Sequence, residues 1–205
     1  ILQARLPEAM VQVADGQTPR HLAEHIATTA STAVVGCGLG TSDEALARLT
    51  AWLDIWPADG MHTAVLDADA LNLLAAMPDL LQQTAAPLIL TPHAVEFHRL
   101  TGLPVNEILA DPVETASAFA VRHNVVVVLK GSTTTVANPN GGVWQLEAPN
   151  SGMAKGGSGD VLAGIVVSLL GQGLPALTAA AYGAWLHGAA GDICAEKIGQ
   201  YGMLH

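Results

Sequence analysis

The stretch Asn150-Ser-Gly-Met-Ala-Lys-Gly-Gly-Ser-Gly-Asp160 gathers residue types that can bind and act on an anion, and it runs directly into the apolar segment Val161–Leu170. Glycines let backbone approach a ligand closely. A helix beginning near Ser158 would aim unpaired N–H groups and its positive dipole end at whatever lies over the loop. Asp160, at the rim, would repel an anion unless a metal or a transferred proton stood between them, so it is better suited to serve as a base than to bind. Ser and Asp are also preferred helix caps, and taken alone the segment favours that plainer reading.

The elements that would position this loop follow from hydrophobic spacing. Thr32–Gly36 reads as a buried strand, followed by the turn Gly36-Cys-Gly-Leu-Gly40 and a helix from about Ser42 to Trp52. The same strand-then-helix grammar recurs at Thr63–Asp67 with Ala70–Ala75, and at Leu88–Thr91 with Ala94–Leu100. Three successive units of this kind imply parallel strands joined by right-handed crossovers. Thr18–Thr29 predicts an amphipathic helix opened by Thr18-Pro19, and a further helix is expected from Pro112 to Arg122. Val125–Leu129 is apolar without alternation, as a central parallel strand covered on both faces would be. Thr133–Ala137, the turn Asn138–Gly142 and Val143–Glu147 form an expected antiparallel hairpin at one edge. Two helices should close the chain, about Ser158–Leu170 and Ala176–Lys197, the second with Leu177, Ala181, Trp185 and Leu186 facing in. Ile1–Val13 reads as the tail of an element whose beginning is absent.

With 205 residues, half of them apolar, the chain can bury one core and reads as a single domain. A net charge of −10, from 18 Asp+Glu against 8 Lys+Arg, argues against nucleic acid or an anionic membrane as a partner. Apolar runs fall short of the ~20 residues that cross a bilayer, and no secretory signal opens the chain, so a cytoplasmic protein is expected. Cys37 and Cys194 make neither a disulfide framework nor a metal spacing and are expected as free thiols. His21-Leu-Ala-Glu24-His25 matches the H-x-x-E-H zinc-protease pattern, but so short a motif arises by chance and an acidic helix surface explains it.

In an open parallel sheet, ligands bind beyond the carboxyl ends of the strands. Gly36–Gly40, Asp67 and Asp69, His93 and Glu96, and Lys130-Gly131 each follow a predicted strand, and Gly157–Asp160 opens the next helix. Neither G-x-x-x-x-G-K-[ST] nor a complete G-x-G-x-x-G occurs, so a nucleotide would have to be held another way, for example by Lys130–Thr134 and the helix start after Gly159.

Val65–Ala75, Leu90-Thr-Pro-His-Ala-Val-Glu96, Leu100-Thr-Gly102, Val128-Leu-Lys-Gly131, Ser151–Gly164 and Leu186–Asp192 together resemble the ADP- or ATP-dependent NAD(P)H-hydrate dehydratases, over nearly the whole chain. The resemblance implies a ribokinase-like three-layer α/β/α sandwich with a mostly parallel sheet, residues 1–205 forming one domain that lacks the family's N-terminal segment and extreme C-terminus. It implies repair of hydrated NADH or NADPH: ADP or ATP phosphorylates the added hydroxyl, and phosphate then leaves. By the same likeness Asp160 would take the hydroxyl proton and the N–H groups of Gly157, Ser158 and Gly159 would hold the transferring phosphoryl group. Lys130, Gly131, Ser132, Thr133, Thr134 and Gly159 would contact the nucleotide. Gly38, His93 and Asp160 would contact the hydrated cofactor, and Glu96 would organise Mg²⁺ through water. A homo-oligomer, a tetramer, is implied as well. Asp67 and Asp69 are secondary candidates that could simply hold their loop, and His187 and Asp192 are read as structural.

The chain departs from the family pattern at Cys37, where proline is usual, and at Ala94-Val95, where proline and glycine are usual. Those changes bear on loop geometry and leave the charged groups in place. Two alternatives share the fold: a small-molecule kinase, such as a vitamin-precursor or sugar kinase, and a non-catalytic nucleotide-binding module. The presence of Asp160 speaks against the second.

Overall fold

The computed structural model describes residues 9–11, 14, 16–59, 61–82, 84 and 87–203; the expectation for Ile1–Val13 lies almost wholly outside them. After α1 (Pro19–Thr29) come β1 (Thr32–Val35), α2 (Asp43–Ile55), β2 (Thr63–Leu66) and α3 (Asp69–Ala76). Then follow β3 (Leu88–Leu90), α4 (Ala94–Thr101), α5 (Val105–Ala110), α6 (Pro112–His123) and β4 (Val126–Leu129). The hairpin strands β5 (Thr133–Ala137) and β6 (Val143–Glu147) lead to α7 (Ser158–Gly171) and α8 (Ala176–Ile198). Predicted boundaries agree to within about three residues. The sequence pattern gave no sign of α5, a six-residue helix entered through Pro104.

The strands lie in sequential order, β1-β2-β3-β4-β5-β6. β1 to β4 are mutually parallel, and β5 and β6 are antiparallel additions at the edge. A run of right-handed crossovers advancing one strand at a time puts every connecting helix on the same face. Leu66, Leu88, Leu90, Val127 and Leu129 accordingly pack with residues of α1 to α6, including Leu49, Leu53, Phe97 and Ile108. Their strand neighbours Val65, Ile89, Val126 and Val128 point the other way, against Leu162, Ala163, Val166, Ala180 and Ala184 of α7 and α8. The result is a three-layer α/β/α sandwich whose second face is closed by the last two helices. Among the described residues no helix is long and apolar enough to cross a membrane.

One expectation is overturned on α8. Trp185 and Leu186 are 55% and 41% exposed, while the buried face carries Ala180, Gly183, Ala184, Gly188 and Gly191. The reason is the closeness of the packing: a Cβ on Gly183 would lie 2.6 Å from Val166 Cγ2, so only small residues fit between α8 and α7. The large apolar side chains are therefore forced outward.

The strand ends are held beyond the regular sheet by further backbone bonds. Asp67 N donates to Val35 O (3.1 Å), Thr91 N to Leu66 O (3.2 Å) and Lys130 N to Pro92 O (2.8 Å). Gly36, at φ +125°, sits where a Cβ would come 1.8 Å from Asp67 O. Gly36→Ala is expected to cost at least about 2 kcal/mol through strain and clash, measured as a shift of the denaturant midpoint. Gly173→Ala, at φ +88° in open space, is the milder control expected to cost about 1 kcal/mol.

Candidate active site

A cavity of about 740 Å³ opens at the carboxyl ends of the strands, between the end of β4, the hairpin and the start of α7. Its lining brings together Asp67, His93, Glu96, Lys130, Gly131, Ser132, Thr134, Gly157, Ser158, Gly159 and Asp160, together with Asn150, Lys155 and His187. Two residues expected at the site are not in that lining: Thr133, whose place is in β5, and Gly38, which lies exposed on the turn after β1.

Buried charge organises the floor. Lys130 Nζ donates to Asp67 Oδ1 at 2.9 Å and stands 3.8 Å from Glu96 Oε2. Asp67 is 1% exposed and Glu96 7%, so the one ammonium offsets two carboxylates that could not otherwise remain charged out of water. Lys130 thus lines the cavity while paired with Asp67. Asp67 is followed by Ala68 at φ +51°, a conformation that costs a non-glycine residue on the order of 1–3 kcal/mol and occurs where surrounding structure enforces it. Asp69 does hold its loop, accepting from Gly40 N at 2.8 Å.

His93 is itself the N-cap of α4. Its Nδ1 accepts from Val95 N and Glu96 N, both at 3.2 Å, while Glu96 Oε2 accepts from His93 N at 2.8 Å. This capping box leaves Nδ1 as an acceptor, and Nε2 of the half-exposed ring stands 3.5 Å from Glu96 Oε1. One short loop thereby presents an imidazole and a carboxylate in fixed relation. Glu96 offers hard oxygen donors at the cavity wall, the kind Mg²⁺ takes.

At the opposite wall, Gly157 caps α7 in the left-handed region at φ +89°, and no side chain satisfies the first turn. Among the described residues the amides of Gly157, Gly159 and Asp160 meet no acceptor, whereas Ser158 N donates to Lys155 O at 3.3 Å. Of the amides expected to hold an anion, those of Gly157 and Gly159 are unpaired, as is that of Asp160, while that of Ser158 is taken by its own loop. Close approach is required at Gly159, where a Cβ would come 3.2 Å from Lys130 Nζ and 3.3 Å from Asp67 Oδ2. Ser158 Oγ instead meets His187 Nε2 at 3.3 Å. Burial lowers the His187 pKa, and the Lys130 charge adds to that effect against the hydrogen bond at Ser158, so the ring is neutral near pH 7.

Sequence reasoning set His187 aside as structural, yet it lines the cavity; its signal was its place one helix face from the anion loop. Asp192 is structural: its Oδ1 accepts from Asn150 Nδ2 at 3.2 Å, fixing the start of the loop. Cys37, expected as a free thiol and a departure from the family pattern, is a free cysteine. Its Sγ and carboxylate oxygens of Asp67 and Asp160 lie within 4.8 Å of one another. Partial burial, a hydrogen bond to Asp160 and the charges of Asp160 and Asp67 push the thiol up to about 12. Lys130 already supplies the positive charge at Asp67. The H-x-x-E-H residues form no such cluster among the described residues, and Glu24 pairs with Arg20 at 3.1 Å.

Several known proteins are similar to this chain in sequence or in fold. The whole chain, residues 1–205, matches a family model described as NAD(P)H-hydrate dehydratase. An ADP-dependent (S)-NAD(P)H-hydrate dehydratase of Neisseria meningitidis is 41% identical over 201 residues, 96% of this chain and 64% of that protein. A bifunctional NAD(P)H-hydrate repair enzyme Nnr of Moorella thermoacetica is 48% identical over 141 residues, 69% of this chain and 27% of that one. The chain thus spans less than two thirds of the length of either relative. A Bacillus subtilis ADP/ATP-dependent NAD(P)H-hydrate dehydratase co-crystallised with ATP and Mg²⁺ superposes with a TM-score of 0.79 at 28% identity, over 99% of this chain and 69% of that chain. A ribokinase-like superfamily protein of Enterococcus faecalis gives 0.84 at 30% identity, over 99% and 67%.

Two outcomes follow from the charges. Lys130→Met is expected to lose about 3–5 kcal/mol by leaving buried Asp67 unpaired, with much of that recovered in Lys130→Met/Asp67→Asn, as measured by urea unfolding. For Cys37, the folded-state value lies above the ordinary thiol value of 9.0, so the folded protein favours the protonated form and its stabilisation fades as pH rises from 9 towards 12. Iodoacetamide labelling of Cys37, read by mass spectrometry, should still be accelerating above pH 10; a plateau near pH 9 would contradict the environment described.

Proposed function

The chain belongs to the NAD(P)H-hydrate dehydratase family, and from that premise we propose that it repairs hydrated NADH or NADPH, using ADP or ATP to phosphorylate the added ring hydroxyl and then expelling phosphate. The observation that carries this reading is the meeting of Asp160 with unpaired amides at the start of α7, over a cavity large enough for a nucleotide and a second ligand.

The chemistry has a physical motive. Hydroxide is a poor leaving group and phosphate a good one. Asp160, within reach of the hydrate hydroxyl, takes its proton as the oxygen attacks the terminal phosphoryl group, and the bond to the leaving nucleotide oxygen breaks. The amides of Gly157, Gly159 and Asp160 hold the transferring charge, each well-aimed donor contributing about 3 kcal/mol. The carbon–oxygen bond then breaks with its electron pair going to phosphate, and loss of a proton from the neighbouring ring carbon restores the dihydropyridine double bond. Mg²⁺, bound with the phosphates, would supply charge neutralisation, and Glu96 would hold it through water. Lys130 acts from below, holding Asp67 and Glu96 neutralised beneath Gly159, while Gly131, Ser132 and Thr134 wall the nucleotide. His93 faces the hydrated cofactor together with Gly38, and Thr133 belongs with the nucleotide-contacting run, although neither Gly38 nor Thr133 is in the cavity lining. Self-association fits the face of α8 on which Tyr182, Trp185, Leu186 and Ile193 lie exposed.

Hydrated NADH incubated with the protein, Mg²⁺ and either ADP or ATP should recover the absorbance of NADH, with one phosphate released per cofactor. A stable phosphorylated product from a small alcohol, without such recovery, would favour the kinase alternative. Asp160→Asn is expected to keep folding and nucleotide binding while lowering turnover about 10²- to 10⁴-fold, the usual range for a positioned base, and an unchanged rate would refute the assignment.

A further inference from the structure

Lys155 brings a second ammonium to the cavity lining, two residues before Gly157 caps α7. Lys130 is offset by two carboxylates, whereas among the described residues no carboxylate lies within ion-pair range of Lys155. Its half-buried Nζ donates instead to the main-chain carbonyls of Met203 and, at 3.5 Å, Tyr201. Carbonyls orient an ammonium without cancelling its charge, and these two occupy only two of its three N–H donors. The hold is firm on both sides. Lys155 N donates to Met153 O at 2.8 Å and its carbonyl accepts from Ser158 N, while Ser151 Oγ donates to Gln200 Oε1 at 2.8 Å. A Cβ on Gly152 would come 2.9 Å from Gln200 O, so the segment Gln200–Met203 lies tight against the loop that carries Lys155.

We propose that Lys155 binds the phosphate chain of the nucleotide: the carbonyls of Tyr201 and Met203 hold its ammonium at the cavity wall, and the remaining N–H meets a phosphate oxygen beside the unpaired amides of the loop. This rests on the nucleotide-dependent reading of the site. Charge selects the residue. The cavity-lining carboxylates Asp67, Glu96 and Asp160 outnumber the lining ammoniums, and Lys130 is drawn to the first two. In a protein of net charge −10, a polyphosphate entering such a cavity is repelled unless positive charge stands free beside it. Lys155 is the lining ammonium whose charge no carboxylate answers among the described residues, and it stands in the same loop as the amides of Gly157 and Gly159. A lysine serves phosphate as a compact point charge, which suits a group that must add to backbone donors already in place.

Titration calorimetry with ADP on the intact protein tests this. Lys155→Met should raise the Kd for ADP about tenfold or more, while the affinity of adenosine, measured by displacement of ADP, changes by less than about twofold. Lys155→Arg, which keeps the charge and the donors, should bind ADP closer to wild type than to Lys155→Met. Raising KCl from about 0.05 to about 0.3 M should weaken ADP binding more in wild type than in Lys155→Met, because one screened charge has been removed. Should Lys155→Met lower the urea midpoint through loss of the carbonyl contacts, the same titrations are read in Lys155→Gln, whose amide can still donate to a carbonyl but carries no charge. ADP affinity unchanged in the uncharged variant, or adenosine weakened as much as ADP, overturns the inference. If ADP binding depends on Lys155 but the wild-type protein repairs no hydrate, the dehydratase reading fails while the phosphate contact stands. Hydrate repair with undiminished ADP affinity in the uncharged variant sinks the contact and leaves that reading intact.

Discussion

The second face of the sheet has to be covered by something outside the βα run, because sequential right-handed crossovers place α2 to α6 all on the first. α7 and α8 meet that need, and the way they meet it creates the site. Val65, Ile89 and Val128 require an apolar lid along the sheet, so α7 lies flat on it with its N-terminus at the strand ends. The glycine loop that precedes α7 is thereby carried over Asp67 and Lys130. α8 must pack tightly on α7 to finish the layer, which accounts for its inner face of Ala and Gly.

Electrostatics then selects what the cavity can hold. The protein carries a net charge of −10, and three carboxylates stand in or beside one pocket. Two of them, Asp67 and Glu96, are buried and offset by Lys130, so their charge is balanced locally. Asp160 stays exposed beside unpaired amides, so that in the proposed reaction the amides and helix dipole would attract the phosphoryl group while the carboxylate meets the proton. The neutral His187 adds a polar group without adding charge.

Packing at strand ends explains why small residues recur where they do. Gly36 passes against the backbone of Asp67, and Gly159 passes over the Lys130–Asp67 pair. In both cases a side chain would separate groups that the site needs in contact. Ala68, held in an unfavourable conformation immediately after Asp67, shows that the local geometry is imposed by the surrounding fold.

The sequence by itself determined the order of strands and helices, the parallel run and the edge hairpin, because hydrophobic period and turn residues act locally. It also marked Asp160, His93, Glu96 and Lys130, whose common address at strand ends follows from the order of elements. It could not tell which side of α8 faces in, since Trp185 and Leu186 look like core residues until the 2.6 Å constraint at Gly183 excludes them. Nor could it show that Lys130 is paired with Asp67, 63 residues away, that Ser158 N is taken by its own loop, or that Cys37 stands within 4.8 Å of Asp160 across the site. Those are distances between elements far apart in the chain. Only the tertiary structure fixes such distances, because they depend on how layers pack and not on what any single segment prefers.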